Sequence, residues 1–290
     1  MAQALRDAHP GLEVEVHAVQ TRGDRDQRSF AAIGGKGLFV AEVERAVAEG
    51  AADLAVNSAK DLTAELAHGC SIFCVPPRAS AHDVIVGADA LDELPSGATV
   101  GTSSMRRRAL LAEARPDLDV VDLRGNLDTR LRKVEEGVVD AAILAAAGLE
   151  RLGVDAGTPL DPDRWVPAPG QGALAIEGRT DRSDLSEVLA PLNDADAAAE
   201  LACERAFSAR LEGGCSVPLG CLARSAAGKM TVVGYLGLPD GSQGLRDRIA
   251  GPTGAAAELG VELADAIYDS GGRDIVEELR DVEPTLPSLP

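Results

Sequence analysis

The sequence predicts an α/β protein followed by a smaller α+β unit, and three observations carry that prediction. As far as Ala190, short apolar runs alternate with helical periodicity, each run closing in a glycine- or hydroxyl-rich turn, which is the pattern of βα units. Trp165–Pro169 is proline-rich, as a crossover is. After Asp194 the pattern changes to a long alanine-rich helix, three strand-like runs (Cys221–Arg224, Met230–Leu236, Leu245–Ile249) and a helix at Ala255–Ser270.

The totals bound the class. At 290 residues the chain can hold two or three domains, each with its own core. Aromatic residues are 2% of it, so Ala, Val and Leu must fill that core. The longest apolar run, Ala141–Leu149, is about half of a membrane span, and the start has no hydrophobic signal core. The five cysteines are odd in number and irregularly spaced, which gives no disulfide framework. Cys70-x3-Cys74 lacks a second pair for zinc. A cytoplasmic protein with no metal and no membrane segment is expected. The net charge of −19 argues against nucleic-acid binding. Yet Gly101–Arg151 holds nine Lys+Arg against nine Asp+Glu. That local basicity fits a site for small carboxylated or phosphorylated ligands, and solvated helix faces would give the same count.

In chain order, residues 1–9 read as a helix tail. Leu12, Val14, Val16 and Ala18 alternate with polar residues, as in a strand. Gly34-Gly35-Lys36-Gly37 opens a helix carrying Leu38, Phe39, Val43 and Val47, and such a turn with a lysine can cradle an anion. Asp53–Asn57 is a strand, with Ser58-Ala59-Lys60-Asp61 at its carboxyl end, where open α/β sheets bind ligands. Asp61 beside Lys60 reads equally well as an exposed ion pair. Strands follow at Cys70–Val75, Asp83–Val86 and Thr99–Gly101. The last runs into Thr102-Ser103-Ser104, which can cap a helix, and then Met105-Arg106-Arg107-Arg108. Cations at a helix N-terminus oppose its dipole, a reason to suspect an anionic ligand. The pattern recurs at Val120–Asn126 with Arg124, Gly125 and Arg130, and again at Ala141–Arg151. Gly170-Gln171-Gly172 leads into a strand at Ala173–Ile176 and a helix at Ser183–Leu189.

Finally, Gly213-Gly214 ends the long helix, Pro218 stiffens the chain, and Cys215 is held between them. A lone cysteine is more often a small buried hydrophobe than a reactive thiol, and the loop alone leaves both readings open.

Taken together, Thr21–Asp24, Gly34–Phe39, Asn57–Asp61, Gly101–Arg107, Leu123–Asn126, Pro169–Gly172 and Leu211–Gly220 resemble, in order and over nearly the whole chain, the motifs of the porphobilinogen deaminase (hydroxymethylbilane synthase) family. The resemblance implies two periplasmic-binding-protein-like lobes plus a C-terminal α+β domain. Residues 1–76 and 172–190 would form the first lobe, 77–171 the second, and 191–290 the last. It implies a monomeric transferase that joins four porphobilinogen units on a dipyrromethane primer held as a thioether on Cys215. Asp61 would be the catalytic acid/base. Lys36, Ser58, Lys60, Thr102, Ser103, Ser104, Arg106, Arg107, Arg124, Gly125, Arg130, Arg151 and Gln171 would contact cofactor or substrate.

The chain departs from the family in three places. Asn57 and Ala59 stand where His and Met are usual, Ala32 replaces a frequent lysine, and the chain starts after an Arg-x-Ser-x-Leu-Ala segment. That start implies a strand left without its neighbour and an apolar face left uncovered. The alternatives are a truncated, inactive member and a non-catalytic two-lobed anion-binding protein. A cysteine hydrolase would need a histidine partner, and His9, His17, His68 and His82 all lie outside the motif segments.

Overall fold

The computed structural model describes residues 1–19, 40–212 and 217–281. It contains three separate sheets. The first has β8 (Leu174–Arg179) at its centre, antiparallel to β1 (Leu54–Ser58) on one side and β2 (Cys70–Cys74) on the other. Helices α1 (Ala2–Ala8) and α6 (Asp184–Leu189) cover one face, where Leu5, Ile176, Leu185 and Leu189 are buried together. Helix α2 (Ala41–Ala48) packs on the same sheet. The second sheet runs in the order β5-β4-β6-β3-β7. Its strands β4 (Thr99–Gly101), β5 (Asp119–Val121) and β6 (Ala141–Ala145) are parallel, and β3 (Asp83–Val86) is antiparallel to β6. The short β7 (Thr158–Pro159) closes one edge. The helices after β4, β5 and β6 are α3 (Met105–Ala114), α4 (Leu127–Glu135) and α5 (Ala146–Leu152).

The third sheet is the meander β9 (Leu219–Ala226), β10 (Lys229–Gly237) and β11 (Gly244–Pro252). Helices α7 (Ala195–Arg210) and α8 (Ala256–Ile267) pack on it around Phe207, Met230, Val232 and Leu263. This unit touches both others. Val233 and Tyr235 of β10 enter the core of the second sheet beside Trp165 and Leu110. Ala197 and Leu201 of α7 pack against Ala173 and Ala175 beside the first.

Two expectations fail. Residues 12–19 form no strand. Their alternation gives an extended shape, but among the described residues no strand pairs with them, and Leu12, Val16 and Val19 stay exposed. Strand identity needs a ladder partner as well as a pattern. Among the described residues β1 likewise has β8 as its one neighbour, and its Val56 is 50% exposed. At the other end, the helix expected at Ala255–Ser270 is not the last element: beyond Ile267 the chain continues through a π-helical turn into α9 (Arg273–Asp281). Gly271 absorbs the kink at φ +111°, and Ile275, Val276 and Leu279 bring an apolar stripe back onto the core.

Candidate active site

Chain geometry puts the Lys60–Asp61 pair at a sheet edge. Beyond β1 the chain makes one 3-10 turn, Ala59–Asp61, with Ala59 N–H donating to Ala173 C=O at 3.0 Å. Gly170 presses against this turn at φ +75°. A Cβ there would lie 2.9 Å from the Ala59 carbonyl carbon and the Lys60 nitrogen, so only glycine fits. The side chains of Lys60 and Asp61 are exposed at this turn, yet crowded enough by protein that desolvation shifts both. Burial pushes the Lys60 ammonium down to about 8, with Asp61 opposing and Arg107 and Arg106 adding to the fall. Burial likewise raises the Asp61 carboxyl, against the pull of Lys60.

The facing wall comes from the second sheet. Ser104 caps α3, its Oγ accepting from Arg107 N–H at 3.4 Å, and Thr102 Oγ1 accepts from Ser104 N–H at 3.1 Å. Ser103 is half-buried and Ser58 sits half-buried at the end of β1. Arg106 and Arg107 are 4% and 6% exposed, and both converge on Asp83, which the sequence reading missed. Arg106 Nη1 donates to Asp83 Oδ2 at 2.8 Å and to Val166 C=O at 2.9 Å. Arg107 donates from Nε and Nη2 to Asp83 Oδ1 at 3.1 and 2.8 Å, and from Nη1 to Ile143 C=O at 2.7 Å. Burial alone would raise the Asp83 carboxyl, but the two guanidinium groups hold it far below the usual carboxylate range. The cations that oppose the α3 dipole are thus held first by an internal carboxylate.

Arg124 and Arg130 flank a second turn. Gly125 adopts φ +114°, where a Cβ would meet Thr129 Cγ2 at 2.7 Å, and Asn126 Oδ1 caps α4 by accepting from Thr129 N–H at 2.9 Å. Arg130 Nε donates to Gly125 C=O at 2.9 Å. Burial, then the neighbouring Arg107 and Arg124 charges, push the Arg130 guanidinium down to about 10, with Asp122 opposing. Lys60 feels Arg106 and Arg107, and Arg130 feels Arg107 in turn, so these groups share one neighbourhood.

Gln171 and Arg151 serve the crossovers between sheets. Gln171 is 1% exposed and donates from Nε2 to Ala81 C=O at 2.7 Å and Asp83 Oδ1 at 2.9 Å. Its backbone carbonyl accepts two bonds from Arg78, whose guanidinium also grips Glu204 of α7 at 2.7 and 3.0 Å. Arg151 Nη2 donates to Gly172 C=O at 2.8 Å. Arg78 and Glu204 were also missed. Glu204 carried a signal, because it falls in the apolar stripe of α7 three residues from both Leu201 and Phe207.

Cys215 and Lys36 lie outside the described residues. The anchors of the Cys215 loop are described. Leu211 is fully buried at the end of α7, and Cys221 N–H donates to Pro167 C=O at 2.9 Å. Gly220 lies so close to Val166 that a Cβ would be 2.5 Å from its carbonyl oxygen. The loop therefore starts from the core of the third sheet's unit and ends against the crossover at Val166 and Pro167.

Fold and site define an α/β protein in which the Lys60–Asp61 turn of one sheet lies within charge range of arginines presented by another. Two family profiles match: "Porphobilinogen deaminase, dipyromethane cofactor binding domain" over residues 1–187 and "Porphobilinogen deaminase, C-terminal domain" over residues 198–269. A porphobilinogen deaminase of Roseiflexus sp. (strain RS-1) is 47% identical over 278 residues, covering 94% of this chain and 91% of that protein. One from Trichlorobacter lovleyi is 45% identical over 279 residues, 95% of this chain and 89% of that one. The chain belongs to the porphobilinogen deaminase family. Among solved structures, the periplasmic VFT2 domain of Bordetella pertussis BvgS matches with a TM-score of 0.34 at 21% identity, over 64% of this chain and 72% of that one. That likeness is too loose to carry argument.

No helix among the described residues is long and apolar enough to cross a membrane, and no cluster of His, Cys, Asp and Glu among them could hold a metal ion.

Proposed function

We propose that this chain deaminates porphobilinogen and joins four units head to tail on a dipyrromethane primer attached through Cys215, releasing hydroxymethylbilane. One observation carries the reading. Lys60, beside Asp61 on one sheet, lies within charge range of Arg107 and Arg106 on another, and Arg130 within range of Arg107 and Arg124, so an acid/base candidate sits beside a group of positive charges. Every pyrrole ring of substrate and product bears an acetate and a propionate, and such a group suits a chain that gains carboxylates at each step.

The residues fit a polycarboxylate primer. Arg106 Nε is a buried donor without a partner, and Arg130 stands among like charges that an anion would relieve. When bound, the primer supplies a nucleophilic pyrrole carbon. Lys60, Arg124 and Arg130 would hold ring carboxylates, with Ser58, Ser103 and Arg151 at the margins, and Lys36 would add a further cation. Thr102, Ser104, Gly125 and Gln171 would shape the turns that present them, and Arg106 and Arg107 would contribute fixed charge and the one open Nε donor. Asp61 would assist loss of ammonia as the aminomethyl C–N bond breaks, its carboxylate opposing the positive charge left on the pyrrole. After the new C–C bond forms, Asp61 would take the proton displaced from the ring carbon.

The domain division 1–76 with 172–190, 77–171 and 191–290 belongs to the same reading. It is supported by the three sheets and by crossovers at Arg78 and Gln171. A cytoplasmic monomer that binds no nucleic acid belongs to the same reading, and the acidic net charge of −19 supports its not binding nucleic acid.

The test is the intact mass of the purified chain beside Cys215→Ala. Two linked pyrroles should appear on the first and be missing from the second, and an unmodified thiol in the folded chain sinks the reading. With the primer present, Asp61→Asn should lower kcat about 10²–10⁴-fold, and an undiminished rate would remove Asp61 from the chemistry.

A further inference from the structure

The turn that presents Arg124 contains an acid whose place in the reaction remains open. Asp122 follows β5 directly, at the carboxyl edge of the parallel strands β5, β4 and β6. Arg124 Nε donates to Asp122 Oδ2 at 2.6 Å, and the two side chains are 21% and 15% exposed. Asp122 Oδ1 is buried and accepts no hydrogen bond. The same carboxylate faces the Arg130 charge. The backbone of the turn is fixed by other groups. Leu123 N–H donates to Thr102 C=O at 3.3 Å, Lys133 Nζ to Arg124 C=O at 3.3 Å, Arg130 Nε to Gly125 C=O at 2.9 Å, and Asn126 caps α4. Asp122 therefore acts on the Arg124 side chain and on the charge of the site rather than on the path of the chain.

We infer that Asp122 is a positioning residue that also tempers the arginine site, an internal carboxylate that orients Arg124 and competes with ligand carboxylates for it. The inference rests on the proposed function. An incoming carboxylate must share Arg124 with Asp122 and is repelled by it at short range, so the grip on each ring is weaker than the arginines alone would give. A site through which a growing polyanion must pass gains from that weakness, because an over-tight grip at one ring stalls the next addition.

The test uses the primer-bearing enzyme. Asp122→Asn keeps an oxygen for Arg124 Nε and removes the charge. It should lower KM for porphobilinogen about three- to tenfold, leave kcat unchanged or lower, and lengthen the life of partly elongated covalent adducts seen by intact mass after quenching. Asp122→Ala, which also loses the orienting bond, should not show the lower KM. Asp128→Asn, an exposed acid in the first turn of α4, controls for net charge and should leave KM unchanged. An unchanged or raised KM in Asp122→Asn with a wild-type melting curve overturns the inference, and so does an equal fall in Asp128→Asn. Wild-type enzyme runs alongside, so absence of turnover there counts against the proposed function alone. In that event citrate, a non-reacting polycarboxylate, decides by calorimetry. Tighter binding to Asp122→Asn supports the inference, and equal or undetectable binding in both proteins overturns it.

Discussion

Asp61 and Asp83 stand at the edges of two different sheets of the same cleft region, and their acidities go opposite ways. Both are penalised as anions by burial. Asp61 has one cationic neighbour, Lys60, whose own charge is weakened by the same surroundings, and its carboxyl stays raised. Asp83 takes three side-chain hydrogen bonds from Arg106 and Arg107 and a fourth from Gln171, and it is held strongly acidic. The difference is the number of donors aimed at the carboxylate, since desolvation acts on both. A carboxylate left under-satisfied can exchange a proton during a reaction, while one saturated by guanidinium groups can only hold structure.

Asp83→Asn breaks that comparison most forcefully. It leaves two buried guanidinium groups without their counter-ion, and a loss of about 3–5 kcal/mol in urea unfolding at neutral pH is expected. Asp61→Asn should change stability by no more than about 0.5 kcal/mol, because its side chain is open to the cleft. The pH dependence follows from the sign. The folded-state pKa of Asp83 is depressed, so its contribution is present above the unfolded carboxyl range and is lost only as pH falls through the much lower folded value. If Asp83→Asn unfolds no more easily than Asp61→Asn, the assignment of Asp83 as the structural anchor fails.

Glu177 sharpens the contrast as a third carboxylate, fully buried, with no guanidinium hydrogen bond. Asn57 Nδ2 reaches its Oε2 at 3.3 Å and its Oε1 has no partner. Burial, then Glu44, raise it to about 7, against the pull of Arg205. A folded-state pKa above the unfolded one stabilises the fold at low pH, and that stability is lost as pH rises from about 4.5 through about 7. Glu177→Gln should therefore remove much of the decline in melting temperature between pH 5 and 8, gaining on the order of 2 kcal/mol at pH 8. An unchanged slope would mean that the carboxyl is already ionised at neutral pH.

These residues also show what the sequence could and could not reveal. The β4–α3 and β5–α4 turns were legible because a strand, a capping hydroxyl or amide, and a helix are all local signals, and the Lys60–Asp61 turn was legible as the end of a strand. Asp83, Arg78 and Glu204 were not, because their meaning depends on partners up to 126 residues away. Arg106 and Arg107 show the same limit from the other side. Their cost to the α3 dipole pointed to an anion, and the first anion they meet is Asp83, brought in by an antiparallel strand that the local pattern does not place. The stretch 12–19 reversed the error, with a clear local pattern and, among the described residues, no ladder to complete it.

Lys60 gives the smallest effect and the most direct report on the cleft. Burial brings its ammonium down to about 8, with Asp61 and Asp83 resisting and Arg107 and Arg106 assisting. The unliganded enzyme should therefore lose this positive charge as pH rises through about 8. Substrate carboxylates would restore the charge, so the loss belongs to the primer-bearing enzyme before substrate binds and should appear in kcat/KM rather than in kcat. A fall in kcat/KM of about two- to fivefold between pH 7 and 9 is expected, with kcat nearly flat. Lys60→Arg keeps a cation at every accessible pH and should abolish that alkaline limb even if its different shape lowers the overall rate. Persistence of the limb in Lys60→Arg would assign it to another group and would leave Lys60 as a fixed charge.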